Sequence, residues 1–160
     1  MSEPRISIRR AEDEDIDGIL RILDGCPKIA WSESQVREEF QGKGKFPMVG
    51  FRDGVMVGFC FIRTVDDTAE LLLIATKAQV RRKGYASEIA HEMQQELTTL
   101  GIKEVFLEVR KSNLAAVHLY QALGYTQFAV RPKYYRSPIE DAILFKLTLT
   151  DCQPNYSGLE

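Results

Sequence analysis

The sequence has little cysteine: Cys26, Cys60 and Cys152 are odd in number, scattered, and form no CxxC pair. That excludes a disulfide framework or a thiolate zinc site and leads us to expect a reducing, cytoplasmic setting. It also lacks an excess of charge of either sign, with 21 Lys and Arg against 23 Asp and Glu and a formal charge of -2. No overall basic field exists to draw nucleic acid or an anionic membrane, so any anion site has to be local. No apolar run approaches the roughly 18 residues of a membrane helix, and Met1-Ser-Glu-Pro lacks the basic start and apolar stretch of a secretory signal. We expect a soluble protein with no membrane partner. The nucleotide loops GxxxxGK(S/T) and GxGxxG are missing as well. His91 and His118 have no partner at metal-ligand or triad spacing, so no metal is expected and both belong to the surface or to packing.

What is present suits one domain. Of 160 residues, 44% are hydrophobic and 28% charged, enough apolar content for a core, and neither repeats nor low-complexity blocks divide the chain. We expect a single domain over residues 1–150 and a loose tail over 151–160.

Alternation predicts a strand from Arg5 to Arg10. The acidic turn Glu12 to Asp15 opens a helix whose buried stripe is Ile16, Ile19, Leu20 and Leu23, stopped by Gly25 and Pro27. Ser32 followed by Gln35 is a capping box for a short helix through Val36 and Phe40. Phe46 to Phe51 and Val55 to Val65 are strand-like runs joined by Arg52-Asp53-Gly54, and Asp66-Asp67-Thr68 turns the chain into Ala69 to Thr76, a three-strand antiparallel meander. After Gly84 a helical period places Ala86, Ile89, Ala90, Met93 and Leu97 on one face, ending at Gly101. Lys103 to Val109 is a strand, Asn113 to Leu123 a helix closed by Gly124. Tyr125 to Val130 and Ala142 to Leu149 are strands separated by a long polar connection that contains proline.

Arg81-Arg82-Lys83-Gly84-Tyr85-Ala86 lies between a predicted strand and a predicted helix, where unpaired N–H groups and the positive end of the helix dipole favour an anion. A solvated basic turn would use the same residues. Arg81-x-x-Gly84-x-Ala86 resembles the Q/R-x-x-G-x-G/A signature of the GNAT acetyltransferases, and the order of elements is similar to theirs. The fold this implies is an α/β (α+β) one, with a mixed, mostly antiparallel central sheet of about seven strands flanked by about four helices. The resemblance further implies acetyl-CoA as cosubstrate. Its pyrophosphate would lie on the amides of Arg82, Lys83, Gly84, Tyr85 and Ala86, with Arg81 and Ser87 beside them, and its pantetheine arm along Ile74, Ala75 and Thr76, with Asn113 nearby.

The stretch Leu107-Glu108-Val109-Arg110-x-Ser112-Asn113-x-Ala115-Ala116-x-x-Leu119-Tyr120-x-x-Leu123-Gly124-Tyr125 resembles the RimI-type branch of that family, the ribosomal-protein alanine N-acetyltransferases. Arg131-x-x-Tyr134-Tyr135-x-x-x-x-Glu140-Asp141-Ala142 and Trp31-Ser32-Glu33 are similar to that branch too. Asn113 and Tyr120 are seven residues apart, about 10 Å along one helix face. A phenol, with a reference pKa of about 10, suits protonation of a leaving thiolate, whose thiol titrates near about 8.5. Tyr120 is the candidate acid, and packing under the sheet is its other role. Glu108 is a carboxylate in an apolar strand, facing away from Leu107 and Val109. The resemblance implies a base that takes a proton from the amine; a structural acceptor for Arg110 is the alternative. The resemblance also implies that Trp31, Tyr134 and Tyr135 flank a slot for the N-terminal peptide of a protein, a small-subunit ribosomal protein, with anchoring of loops at the rim as their other role; we expect the enzyme to act as a monomer. A small-molecule amine acetyltransferase and a non-catalytic acyl-CoA-binding module are the rival classes; the first is expected to lack the Tyr-Tyr and Glu-Asp-Ala connection, the second to dispense with Glu108 and Tyr120.

Overall fold

The computed structural model describes residues 6–149. The predicted tail over 151–160, Arg5 and Cys152 lie outside the described residues. The strands are β1 (Ser7–Arg10), β2 (Lys45–Arg52), β3 (Val55–Val65), β4 (Thr68–Thr76), β5 (Glu104–Arg110), β6 (Thr126–Arg136) and β7 (Ile139–Thr148). The helices are α1 (Ile16–Asp24), α2 (Glu33–Glu38), α3 (Tyr85–Thr99) and α4 (Leu114–Ala122). The strands form one seven-stranded sheet in the order β1-β2-β3-β4-β5-β7-β6. All neighbours are antiparallel except β4 and β5, which run parallel because α3 carries the chain between them.

Alternation along β3 shows how the sheet divides two cores. Cys60 and Ile62 face α3 and α4, joining Ile89, Met93, Leu97, Val105, Leu107, Tyr120 and Phe145. Phe59 and Phe61 face the other way, against Ile16, Ile19, Ile22 and Leu23 of α1 and Val36 of α2. Each such fully buried aliphatic or aromatic side chain contributes about 1.5–3 kcal/mol. Tyr85, not Ala86, begins the buried stripe of α3.

Local signals formed as their chemistry dictates. Ser32 accepts the N–H of Gln35 while the Gln35 side chain takes the N–H of Ser32, and the helix so capped ends at Glu38, short of Phe40. At the β2–β3 hairpin Asp53 and Gly54 have φ of 51° and 79°, the left-handed pair such a two-residue turn requires.

One expectation is corrected. The stretch between Val130 and Ala142 is not a connection: β6 runs on to Arg136 and β7 starts at Ile139. Tyr134 and Tyr135 therefore stand on an edge strand. That strand has solvent on most sides and so carries no clean apolar alternation, and Pro132, lacking an N–H, fits an edge.

Candidate active site

The parallel pair is short. Thr68, Ala69 and Glu70 lie opposite Glu104, Val105 and Phe106, and there the shared ladder stops. Beyond it, β4 bonds only to β3 and β5 only to β7, so the two strands part as a V. A bulge in the β3–β4 pairing leaves Leu72 as an extra residue, which bends β4 at the start of the opening. The predicted residues Ile74, Ala75 and Thr76 lie on this arm, opposite Cys60, Phe59 and Gly58 of β3. On its β5 side this arm takes no ladder bond, so main-chain polar groups there are open to a ligand.

The arm leads into the glycine turn. Arg82 has φ of 67° and Gly84 φ of 82°, and no side chain caps the Gly84 end of α3. A turn of left-handed residues feeding a helix N-terminus gathers N–H groups toward one point, which is the chemistry of a phosphate cradle. Arg81, Arg82, Lys83 and Gly84 are exposed, whereas Ala86 and Ser87 are half-buried in the first helical turn. The Arg81 guanidinium donates to Cys26 Sγ at 3.0 Å. Tyr85 is different: its ring is buried and its hydroxyl accepts from Arg52, so it offers the turn only its main chain.

On the face that α1 and α2 leave uncovered, five strands floor a cleft of about 720 Å³. Arg63, Glu70, Phe106, Glu108, Phe128, Arg131, Tyr134 and Leu144 are among its lining. Glu108 points into it, its neighbours Leu107 and Val109 being buried on the opposite face. Arg131 Nη1 lies 3.1 Å from Glu108 Oε1. Hydrogen bonding to Glu108 and the charge of that carboxylate raise the Tyr134 phenol above its ordinary pKa, with Arg131 opposing.

Tyr120 stands on α4, behind the sheet, only 7% exposed, with the rings of Tyr125 and Phe145 at 5.6 and 6.3 Å. Burial above all, then the proximity of Cys60 and Tyr135, pushes its pKa far up, so the phenol is protonated at neutral pH. Tyr135 is half-buried on β6. Its pKa is raised by burial and by Glu108, with Arg110 lowering it, and the Arg110 guanidinium sits 4.2 Å from its ring centre.

The structure thus brings Glu108 and Tyr134 into one cleft and places Tyr135 within the electrostatic reach of both Glu108 and Tyr120. Asn113 is the N-cap of α4, its Oδ1 accepting the N–H of Ala116. Trp31 is not in this cleft: it packs on Phe61 at 5.3 Å and lines a separate hollow with Leu20, Leu23 and Pro27. His91 and His118 are exposed. Glu70 and Phe128 are cleft residues that sequence reasoning did not name, and the cleft residue Arg131, named in the Arg131-x-x-Tyr134-Tyr135 pattern, is given no role by it. Among the described residues no cluster of His, Cys, Asp and Glu is arranged to hold a metal ion, and no helix is long and apolar enough to cross a membrane.

Residues 16–125 match the model of the acetyltransferase (GNAT) family. The chain belongs to that family. GNAT acetyltransferases use acetyl-CoA. The chain is 30% identical over 146 residues to the ribosomal protein bS18-alanine N-acetyltransferase of Escherichia coli (strain K12), covering 90% of this chain and 98% of the relative. To the enzyme of the same name from Salmonella typhimurium it is 35% identical over 138 residues, 85% and 93% of the two chains. The crystal structure of the ribosomal-protein-S18-alanine N-acetyltransferase from Escherichia coli superposes with a TM-score of 0.84 at 29% identity, covering 90% of this chain and 94% of the other. An N-acetyltransferase from Staphylococcus aureus Mu50, at 21% identity and a TM-score of 0.77 over 91% and 99% of the chains, shares the fold.

Proposed function

We propose that this protein transfers acetyl from acetyl-CoA to the N-terminal α-amine of a protein, with a ribosomal protein, the substrate its relatives are named for, as the leading candidate. The observation that carries the reading is the placement of Glu108, a partly exposed carboxylate, in an open cleft beside the strand splay, with the buried phenol of Tyr120 behind it.

The residues fit acetyl-CoA. The β4 arm at Ile74, Ala75 and Thr76 offers main-chain partners for an amide-bearing arm, and the N–H groups of residues 82 to 86 offer a seat for pyrophosphate at a helix end. When bound, the thioester supplies the activated acyl carbon. Glu108 accepts a proton from the amine, directly or through a water, as the N–C bond forms. Tyr120 gives its own proton to the departing sulfur as the C–S bond breaks, and solvent restores it. Burial keeps the Tyr120 proton in place at neutral pH and equally raises the basicity of a thiolate that develops beside it out of water.

An α-amine titrates near 8 and a lysine near 10.4, so presenting a neutral lysine at pH 7 costs about 3 kcal/mol more. A cleft floored by five strands also suits an extended chain end better than a compact small molecule. The test measures thiol release from acetyl-CoA with a peptide bearing a free N-terminal Ala, against the same peptide blocked there and carrying an internal lysine. The free peptide should be modified faster. Faster modification of the blocked one would sink the substrate reading and leave family membership untouched.

A further inference from the structure

Arg131 and Tyr134 are three residues apart on β6, and in a regular strand they would face opposite sides of the sheet. Both line the cleft. The register explains how: Arg131 lies opposite Ala142 and Tyr135 opposite Glu140, so four steps on β6 span two on β7. Lys133, at φ of 53°, absorbs the turn, and its N–H donates to Asp141 Oδ1 at 3.0 Å. The bulge thus aims a cation and a phenol at one carboxylate. Arg131 Nη1 is 3.1 Å from Glu108, and its guanidinium lies 5.4 Å from the centre of the Tyr134 ring.

We propose that Arg131 is a positioning residue of the acceptor site. Held against Glu108 by the β6 bulge, its fixed charge makes the space beside the carboxylate unfavourable for an ammonium and admits the amine in its neutral, nucleophilic form. The inference rests on the N-terminal substrate reading above. An α-amine with a pKa of about 8 is only about one-tenth neutral at pH 7, and an uncompensated carboxylate would lower that fraction further by stabilising the ammonium. A carboxylate already shared with a guanidinium still accepts a proton but holds a second cation weakly.

The other charges facing Glu108 do not supply this. Arg63 from β3 is tied to the buried Glu39, and Arg110 from β5 pairs with Glu140 of β7 at 3.4 Å. Glu70 from β4 adds negative charge. Tyr134 and Tyr135 of β6 and Tyr120 of α4 all have raised pKa values and stay neutral at working pH.

The test compares the pH dependence of kcat and of kcat/KM in the native enzyme, Arg131→Gln and Arg131→Lys, with a peptide bearing a free N-terminal Ala. The acid limb of kcat reports the bound amine, and that of kcat/KM the free amine. In Arg131→Gln the kcat limb should move up by about one pH unit, a tenfold loss at neutral pH recovered in alkali, while the kcat/KM limb stays in place. Arg131→Lys should restore it. A kcat lowered by one factor at every pH would assign Arg131 to packing alone, and a lower KM at unchanged kcat would make it a competitor of the amine; either overturns the proposal. A carbon-13 NMR titration of the Tyr134 ring needs no substrate. Loss of the Arg131 charge should raise that phenol further, and an unmoved Tyr134 would overturn the proposal too. Absence of turnover by the native enzyme would instead sink the substrate reading, and the Tyr134 titration would still decide the role of the Arg131 charge.

Discussion

Gly50 and Gly58 face each other across the β2–β3 pair, and the side chain of Ile89 fills the space above both. A Cβ on Gly58 would lie 2.8 Å from Ile89 Cδ1 and 2.9 Å from the carbonyl oxygen of Ala75. The Ile89 methyl can rotate away, but the carbonyl belongs to the open arm of β4 and moves only with the strand. Gly58→Ala should therefore cost about 1–3 kcal/mol of stability and weaken acetyl-CoA binding together. At Gly50 a Cβ meets only side-chain atoms, at 3.1 to 3.4 Å, and Gly50→Ala should be milder on both counts. Thermal melts and calorimetric binding of acetyl-CoA check the pair. Equal effects from the two variants would count against a special closeness of Gly58 to the β4 arm.

Tyr120→Phe should lower turnover by about 10² with little change in acetyl-CoA affinity, because a general acid acts mainly in the transition state. The ring remains to pack against Tyr125 and Phe145, so the melting temperature should hold. Glu108→Gln should act similarly on rate. Full activity of Glu108→Gln at neutral pH would make the carboxylate structural and leave the base to water or a main-chain carbonyl.

Much of this arrangement is legible in the chain because its determinants are local. The Ser32 and Gln35 box, the Asp53-Gly54 turn and the left-handed Gly84 each need only neighbouring residues. Glu108 stands out for the same reason, as a charge inside an alternating apolar strand. The V between β4 and β5 is not local. It depends on how far two strands separated by α3 keep a common ladder, and nothing in Leu71 to Thr76 announces that Glu70 is the last paired residue. The bulge at Arg131 to Tyr135 is hidden likewise, since an edge strand wet on most sides leaves no hydrophobic period from which to count register. Trp31 shows the converse: the resemblance of Trp31-Ser32-Glu33 suggested a slot wall, whereas its ring packs on Phe61 and lines a hollow apart from the Glu108 cleft.

Asp15 is the site for a pH-dependent stability test. Its carboxylate accepts two bonds from Arg9, at 2.8 and 3.0 Å, and the N–H of Glu12 at 2.8 Å. The bonds from Arg9, opposed by burial and aided by the Glu12 N–H, hold its pKa below the ordinary carboxylate value. A depressed pKa contributes stability above the unfolded value, about 3.9, and that contribution is lost as pH falls through the folded value. Because Arg9 is half-exposed and screened, the contribution is about 1 kcal/mol. Asp15→Asn should be less stable than the native protein in urea at pH 7, with the difference closing below about pH 4. A difference constant with pH would mean that the ionised carboxylate contributes nothing beyond its shape.

Tyr134 lines the cleft, and Tyr135 stands next to it on β6. Their rings meet edge to face at 5.1 Å, Tyr134 is 45% exposed, and the two phenols lie in the field of Glu108. A peptide that delivers its first residue toward Glu108 has to lay its following residues along this wall, where rings exclude water and hydroxyls can hold main-chain groups. Neither residue belongs to the glycine turn. Replacing both by Ala should raise the peptide KM by about tenfold, while acetyl-CoA affinity stays within about twofold, since truncation removes ground-state contacts with one substrate only. The two effects separate the wall from the base: Glu108→Gln should act chiefly on kcat, the double Ala variant chiefly on KM. Steady-state kinetics with the free-N-terminus peptide decide it, and an unchanged peptide KM in the double variant would move the peptide path off β6.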